Sequence, residues 1–176
     1  DIIKINEKRP NQIIISKASK LICSGEIIVF PTETVYGLGA NALDPSAVSK
    51  IFEIKGRPFD NPLIIHIADM KTLRTLVSLI PPKANRIIKK FWHGPVTLVL
   101  KKSKIVPKIT TGGLNTVAVR MPRNNVALAL IRKSGLPIAA PSANISGRPS
   151  PTTAIHVKDD LEGKIKLILD GGSTRI

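Results

Sequence analysis

The sequence predicts an α/β (α+β) domain in which helices cover a twisted sheet. Short apolar runs typical of buried strands alternate along the chain with longer segments whose apolar residues recur at helical spacing. The chain has 176 residues, 43% of them hydrophobic, and is therefore long enough to bury a sizeable core. We expect one domain over residues 1–176, because no repeat, low-complexity tract or linker divides the chain.

Seven segments are predicted to be strands because they are short apolar runs bounded by turn-forming or polar residues. In chain order they are residues 2–5, 26–30, 63–67, 96–100, 116–120, 137–140 and 165–170. The first segment alternates enough for a short edge strand. Residues 26–30 are typical of a buried strand that runs into the loop beginning at Pro31.

Five segments are predicted to be helices. Residues 12–24 place apolar side chains at helical spacing, and Gly25 can end that helix. Asp44 and Pro45 form an N-terminal helix signal, and Gly56 lies just past the end of the helix that they begin. The other helical patterns cover residues 70–79, 82–91 and 126–133.

The charge of the chain indicates anionic partners. Lys and Arg number 27 against 12 Asp and Glu, which gives a net charge of +15. Such a field attracts nucleotides, tRNA or an anionic surface. The basic residues are denser at 83–90 and 101–108, but no basic-aromatic interleaving locates a nucleic-acid site. A Lys-rich surface set by organism-wide composition or a hot habitat is an equally open interpretation.

The single cysteine and the apolar runs limit the setting of the protein. Cys23 has no partner for an internal disulfide, which favours a reducing cytosol. It falls in a predicted amphipathic helix, where we expect a buried side chain rather than a nucleophile. The longest apolar runs are far below the ~20 residues that a membrane span needs, and no signal peptide opens the chain.

The loop KGRPFDNPL, residues 55–63, predicts an anion site. Lys55 is a point charge and Arg57 a planar fork, a pairing suited to phosphate oxygens. The prolines limit local flexibility, so little entropy is lost when a ligand docks. The loop follows a predicted helix and precedes a predicted strand. About one small α/β unit earlier, the loop PTETVYG at residues 31–37 offers two threonine hydroxyls and a carboxylate.

Two common nucleotide-binding motifs do not fit the sequence. Residues 37–42, GLGANA, fit the loose dinucleotide fingerprint G-x-G-x-x-A, which needs its second glycine at a helix N-terminus. The next clear helix begins only at Asp44, so the fingerprint does not fit. No G-x-x-x-x-G-K-[ST] loop occurs either, and ATP would have to be held without a Walker motif. Ser142 lacks a G-x-S-x-G elbow, which argues against a serine nucleophile.

Five segments occur in a fixed order along the chain: PTETVYG (31–37), KGRPFDNPL (55–63), TVAVRMP (116–122), APSAN (140–144) and DGG (170–172). Together they resemble the YrdC-like domain family, the L-threonylcarbamoyl-AMP synthases. The resemblance covers nearly the whole chain and is strongest to archaeal members. It implies a YrdC-like open mixed sheet flanked by helices, with a concave, positively charged cleft.

The resemblance also implies two sets of site residues. It gives ATP to Lys55, Arg57, Phe59, Thr116, Ser142, Asn144 and Ser150. It gives L-threonine to Thr32, His66, Arg120 and Ala140. Lys55 and Arg57 would stabilise charge without any protein nucleophile. Magnesium would arrive on ATP. The three histidines and one cysteine form no metal-ligand spacing.

Each of the main candidates has an ordinary structural interpretation. Thr32 and its neighbours can form a turn whose hydroxyls satisfy their own backbone. Lys55 and Arg57 can be solvated surface charges, and His66, in an apolar strand, can be a satisfied core histidine. Arg120 at a strand end needs an anionic partner, which a structural salt bridge would also provide.

The reaction that the resemblance implies joins L-threonine, bicarbonate or carbon dioxide, and ATP. The products are threonylcarbamoyl-AMP and pyrophosphate, for threonylcarbamoyladenosine formation in tRNA. The expected partners are the three substrates and a downstream threonylcarbamoyl transferase complex; a direct contact with tRNA stays open. We expect a cytoplasmic protein without a membrane contact.

Two other functions stay open. The basic face could belong to a non-catalytic RNA-binding module. A carbamoyl-adenylate domain of hydrogenase maturation is weaker, because the sequence has neither zinc-finger cysteines nor an acylphosphatase segment. Family members also continue past residues 170–172 into further substrate contacts and a final strand, and longer members add a linker and a second domain. We therefore expect that the C-terminal end of the domain and any following domain are missing from this sequence.

Overall fold

The computed structural model describes residues 1–174 and contains one eight-stranded mixed sheet with helices packed against it. The strands are β1 (Ile2–Lys4), β2 (Ile28–Pro31), β3 (Tyr36–Asn41), β4 (Ile64–His66), β5 (Thr97–Lys101), β6 (Thr116–Arg120), β7 (Ile138–Ala139) and β8 (Leu167–Asp170). Their order across the sheet is β1-β8-β2-β3-β7-β4-β6-β5. The predicted α/β class with a mixed sheet is confirmed.

The helices begin and end at recognisable capping residues. They are α1 (Gln12–Cys23), α2 (Pro45–Lys55), α3 (Met70–Leu76), α4 (Pro82–Phe91), α5 (Asn125–Ser134) and α6 (Ala154–Leu161), with a short 3₁₀ helix at Ile109–Thr111. Asn11, Asp44 and Asn124 accept hydrogen bonds from the first backbone N–H groups of α1, α2 and α5. Gly56 and Gly135 end α2 and α5 in the left-handed conformation, and Gly56 lies just past the helix end as the sequence predicts.

Strand pairing gives the sheet two parallel groups, an antiparallel centre and an edge strand, β5, that is antiparallel to β6. Strands β1, β8 and β2 are parallel to one another, and β4 is parallel to β6. Between these groups, β3 and β7 run antiparallel to their neighbours. The centre therefore brings the β2–β3 turn close to the segment that follows β7, and both carry predicted site residues.

The sequence prediction missed β3 and α6. Strand β3 reads YGLGAN, and its two glycines are more typical of a loop. Its first five residues are nevertheless buried, because the strand lies in the middle of the sheet. A Cβ atom at Gly39 would lie 2.5 Å from Cε1 of Phe30, so the glycine makes room for the Phe30 ring. The G-x-G-x-x-A segment thus begins in a strand, which agrees with its rejection as a dinucleotide motif.

Replacing Gly39 with alanine is expected to destabilise the fold by about 1–3 kcal/mol or more, because the added methyl overlaps the Phe30 ring. Urea unfolding followed by circular dichroism measures the change. Phe30→Leu removes the overlapping ring atoms and should make Gly39→Ala less costly in the double variant than in the wild-type background. Equal costs in the two backgrounds would contradict the steric explanation.

The expected burial of Cys23 is wrong. The side chain is exposed at the last residue of α1, although Ile22 beside it is fully buried. The helix buries Ile15, Ala18 and Ser19 on the same face as Ile22, and Cys23 lies one step, about 100°, off that face. Helical period places Cys23 in the right helix but does not identify the face of its final residue.

Residues 1–174 contain neither a membrane-spanning helix nor a cluster of metal ligands. No helix in this range is long and apolar enough to cross a membrane. The same range contains no group of three or more His, Cys, Asp or Glu side chains placed to hold a metal ion.

Candidate active site

The turn between β2 and β3 is held by its own hydroxyl groups. Thr32 is buried, and its Oγ1 donates to the carbonyl of Val35 at 2.7 Å. The same oxygen accepts from the backbone N–H groups of Thr34 and Val35 at 3.3 and 3.2 Å. This is the self-satisfied turn that the residues alone suggested. The turn presents a rigid polar edge, because the Thr32 hydroxyl is committed to its backbone.

Arg120 lies at the end of β6 and reaches this turn. Its Nη2 is 2.9 Å from Oε1 of Glu33 and donates to Oγ1 of Thr34 at 3.2 Å. Its Nε donates to the carbonyl of Gly94 at 3.3 Å. The Arg120 and Glu33 side chains are only 10% and 16% exposed, so the ion pair is largely shielded from water. The salt bridge expected as the ordinary interpretation of Arg120 is present.

The ion pair does not satisfy Glu33. The distance to Arg120 gives a Coulombic contact, but the N–H direction does not give a hydrogen bond to the carboxylate. Within residues 1–174, neither oxygen of Glu33 accepts a hydrogen bond, although both are shielded from solvent. A buried carboxylate without donors is unusual, since buried charged groups are normally both paired and hydrogen-bonded.

His66 is buried beside the Arg120 cluster, the group formed by Arg120, Glu33 and Thr34. It is opposite Arg120 in the β4–β6 register, and its ring meets Phe30 edge to face with centroids 6.3 Å apart. Burial, with a smaller contribution from the charge of Arg120, lowers the pKa of His66 to about 3. Its Nδ1 has no hydrogen-bond partner within residues 1–174. The imidazole is therefore neutral at physiological pH. The predicted contact of His66 with threonine stays a prediction.

The neutral state of His66 predicts acid sensitivity. The unfolded chain takes up a proton near pH 6.5, while the folded chain does so only near pH 3, so the unfolded state binds more protons between these values. His66 therefore makes the protein less stable as the pH falls through this window, by up to about 1.4 kcal/mol per pH unit. Urea unfolding of wild type and His66→Gln at pH 7, 6 and 5 measures this. A slope that the substitution leaves unchanged would remove His66 as its source.

Lys55 is a buried cation at a second cluster of the candidate site, between α2 and the segment that follows β7. It is 2% exposed at the end of α2, and its Nζ donates to the carbonyl of Ser142 at 2.5 Å and to the carbonyl of Asn144. Desolvation, with a smaller effect of the nearby Arg57 charge, lowers the pKa of Lys55 to about 8. Lys55 thus ties α2 to the segment after β7. An ammonium has three donors, so one remains for a ligand.

Arg57 does not join Lys55 on a common partner within the described residues. Its Nη2 donates to Oδ1 of Asn61 at 2.5 Å and to the carbonyl of Pro62 at 3.1 Å, which closes the 57–62 loop on itself. Phe59 is 53% exposed and packs on Phe52 of α2 with ring centroids 4.9 Å apart. The sequence predicted two donors directed at one anion. The structure shows one donor in the protein interior and one in the loop.

The segment that follows β7 is organised around Asn144. Its Nδ2 donates to the carbonyls of Ile145 and Arg148 at 2.9 and 2.7 Å, while its buried Oδ1 has no partner within residues 1–174. Ser142 forms an isolated bridge with Gly37 at the start of β3. These contacts place Ser142, Asn144 and Lys55 together, directly beside the strand that leaves the threonine-rich turn.

Three predicted residues lie further from these two clusters or offer only their backbone. Ala140 is buried, and its N–H is used by the carbonyl of Ile64. Thr116 is exposed at the opposite end of β6 from Arg120, about 13 Å along the strand. Ser150 is exposed and borders a cavity of about 300 Å³ that Arg148 and Asp160 also line.

The sequence prediction missed a cavity of about 540 Å³ that the turn shares with the C-terminal segment. Its walls include Thr32 to Thr34, Arg123, Asn124 and residues 171–174. Tyr36 holds the last of these segments: its hydroxyl donates to the carbonyl of Gly172 at 2.6 Å and accepts from Gly171 N–H at 3.2 Å. Burial and the nearby Asp170 raise the pKa of Tyr36. A fully buried tyrosine needs a hydroxyl partner, but the sequence did not show which segment supplies it.

Comparisons with known proteins agree with this geometry. The family profile Sua5_yciO_yrdC, described as "Telomere recombination", matches residues 20–176. The chain is 59% identical over 175 residues to the threonylcarbamoyl-AMP synthase of Pyrococcus abyssi and 56% identical over 173 residues to that of Bacillus subtilis. These matches cover 99% and 97% of the chain. The crystal structure of P. abyssi Sua5 complexed with L-threonine superimposes with a TM-score of 0.97, covering 100% of this chain and 52% of that one.

A mixed sheet of this topology, with polar turns gathered around its central strands, therefore defines a YrdC-like domain. The chain belongs to the Sua5/YciO/YrdC family, as the sequence resemblance indicated. It spans 51% and 50% of the lengths of the P. abyssi and B. subtilis relatives.

Proposed function

We propose that this chain carries the synthase domain of an L-threonylcarbamoyl-AMP synthase. The reaction joins L-threonine, bicarbonate or carbon dioxide, and ATP to give threonylcarbamoyl-AMP and pyrophosphate. The observation that carries the proposal is the Arg120 cluster beside the threonine-rich turn. It occurs in a fold that superimposes on a relative whose structure was solved with L-threonine, at 59% identity.

The proposed threonine site uses the groups around Arg120. The substrate carboxylate would lie against the guanidinium, which is the buried cation nearest to the turn. Thr32 would face the substrate from the rigid turn, and Ala140 and neutral His66 would line the apolar side. The threonine amine becomes a carbamate by addition to carbon dioxide with loss of a proton, or by reaction with bicarbonate with loss of water.

The proposed ATP site uses the Lys55 cluster, which consists of Lys55, Ser142 and Asn144. A carbamate oxygen attacks the α-phosphorus, and pyrophosphate leaves. Because the carbamate and the ATP phosphates are both negative, cationic donors must align them and neutralise their charge. Lys55 would offer its third N–H to the phosphates, and Arg57 would release the 57–62 loop to do the same. Phe59, Thr116, Ser142, Asn144 and Ser150 complete the proposed set. No protein nucleophile is needed.

Magnesium, the partners and the cellular setting follow as parts of the same proposal. Mg²⁺ would enter as the counter-ion of ATP and be held mainly by its phosphates. The product is a reactive mixed anhydride, so a downstream threonylcarbamoyl transferase would have to consume it. A cytoplasmic setting suits an enzyme that supplies tRNA modification.

A contact with tRNA, which the sequence leaves open, would fall at the β5 edge of the sheet. No Asp or Glu occurs between Asp69 and Asp159, and this stretch includes α4 and β5. The exposed basic residues there are Lys83, Arg86, Lys89, Lys90, Lys101, Lys104 and Lys108. A carboxylate-free basic surface attracts polyanions in a salt-dependent way. If the chain bound tRNA but formed no product, the non-catalytic RNA-binding module would replace the synthase.

The test is incorporation of radiolabelled bicarbonate with ATP, magnesium and L-threonine, with pyrophosphate release followed in parallel. It should be run on this chain and on any longer natural form of the protein. Threonine-dependent label in a product that also contains AMP supports the proposal. A folded protein that binds ATP but releases no pyrophosphate on addition of threonine and bicarbonate would overturn it.

A further inference from the structure

Glu33 is a buried carboxylate whose acceptors are unfilled. Its side chain is 16% exposed and borders the 540 Å³ cavity. A carboxylate has about four acceptor positions. Neither oxygen accepts a hydrogen bond from residues 1–174, and its one close cation, Arg120, makes a Coulombic contact without the N–H alignment of a hydrogen bond. Such a group calls for a partner that brings N–H donors, because an unsatisfied buried charge is costly.

The neighbouring Arg120 has the complementary surplus. A guanidinium has five N–H donors. Within residues 1–174, Arg120 uses Nε on the Gly94 carbonyl and Nη2 on the Thr34 hydroxyl, and its Nη1 donates to no acceptor. An acceptor-rich carboxylate and a donor-rich guanidinium therefore lie side by side at one turn. A ligand that carries an ammonium and a carboxylate on the same carbon matches both groups.

We propose that Glu33 binds the α-ammonium of the amino-acid substrate. Glu33 and Arg120 together would then select an α-amino acid over a hydroxy acid of the same skeleton that lacks the amine. This inference rests on the proposed function, because that function supplies the amino acid. It assigns to the turn a charged contact in addition to its hydroxyl groups.

The same ion pair permits an opposite role for Glu33. The carboxylate could stand in for the substrate carboxylate on Arg120 and leave when the substrate arrives. The two roles differ in sign. If Glu33 binds the ammonium, removing its charge weakens threonine binding; if Glu33 competes for Arg120, removing its charge strengthens binding.

The experiment is calorimetric titration of L-threonine and of 3-hydroxybutyrate, which keeps the carboxylate and hydroxyl but lacks the amine. Wild type should bind threonine more tightly than 3-hydroxybutyrate. Glu33→Gln should weaken threonine binding by roughly 10- to 100-fold, the effect of losing a charge-assisted hydrogen bond, and leave 3-hydroxybutyrate binding unchanged. Glu33→Asp keeps the charge but withdraws it by one methylene. It should weaken threonine binding to a smaller extent, and it decides the question if Glu33→Gln does not fold.

Glu53→Gln is the matched control, because Glu53 is an exposed acid on α2 whose loss changes the net charge equally. It should leave threonine binding unchanged. Equal or tighter threonine binding by the Glu33 variants, with wild type binding threonine and making product, would overturn the role of Glu33 alone. A folded wild type that neither binds threonine nor makes product would instead overturn the proposed function.

Discussion

Replacing Lys55 with methionine is expected to lower both the activity and the stability of the protein. The variant keeps the aliphatic stem but leaves the buried carbonyls of Ser142 and Asn144 without their donor, at about 1–3 kcal/mol for each unsatisfied group. Loss of a cation that stabilises charge in the transition state should reduce kcat/KM by about 100-fold or more. Urea unfolding and the pyrophosphate-release assay measure the two effects separately.

The pH dependence separates the two roles of Lys55. The pKa of Lys55 is about 8 in the folded protein and 10.5 for the free group, so the unfolded state binds more protons between these values. Stability should therefore rise as the pH increases from 8 to 10.5, whereas ATP binding should fall as the ammonium loses its charge. Lys55→Met should show neither trend. Unaltered ATP binding across pH 8 in wild type would contradict the charge role.

Lys50 provides the control on the same helix. Its Nζ donates to one carbonyl, that of Gly25, at 2.8 Å, and it lies outside the proposed site. Lys50→Met should cost less stability than Lys55→Met and leave kcat/KM unchanged. If both variants lost activity in proportion to stability, Lys55 would be a structural lysine without a role in the reaction.

Elements whose local signals agree with one another were predicted correctly. Helix α2 has a capping aspartate, a proline in its first turn and a terminal glycine, and the sequence shows all three. Strand β3 gives the opposite signal, because Gly37 and Gly39 are selected by the approach of Phe30 and Ala140 across the sheet. Such contacts depend on tertiary structure, and local propensity cannot reveal them.

The candidate site shows the same limit. The structure brings together motifs that lie far apart in the sequence, because Arg120 donates to Thr34 and Lys55 donates to the carbonyl of Ser142. The motifs did not predict these particular contacts. They did not show that Lys55 and Arg57 have separate partners, because a spacing of two residues does not determine side-chain direction across a helix end. They also did not single out Glu33, whose importance depends on burial and on missing donors.

Replacing Arg120 with methionine is expected to have the largest effect on stability. Glu33 would be left buried without a cation, and breaking a buried ion pair from one side costs about 3–5 kcal/mol. Glu33→Gln in the same chain removes the uncompensated charge, so the double variant should recover part of this loss. The coupling energy from urea unfolding of the four proteins should be about 1–3 kcal/mol.

The same four proteins link stability to binding. Arg120→Met and the double variant should both lose L-threonine binding, because neither has the guanidinium that we propose to receive the substrate carboxylate. ATP binding by the Lys55 cluster should persist in the double variant. The double variant should therefore recover stability without recovering threonine binding. Glu33→Gln removes the uncompensated buried charge, but it does not restore the guanidinium. Threonine binding that returned in the double variant would show that Arg120 acts only by neutralising Glu33. The substrate carboxylate would then have a different partner, and Arg123, which lines the 540 Å³ cavity, would be the residue to replace next.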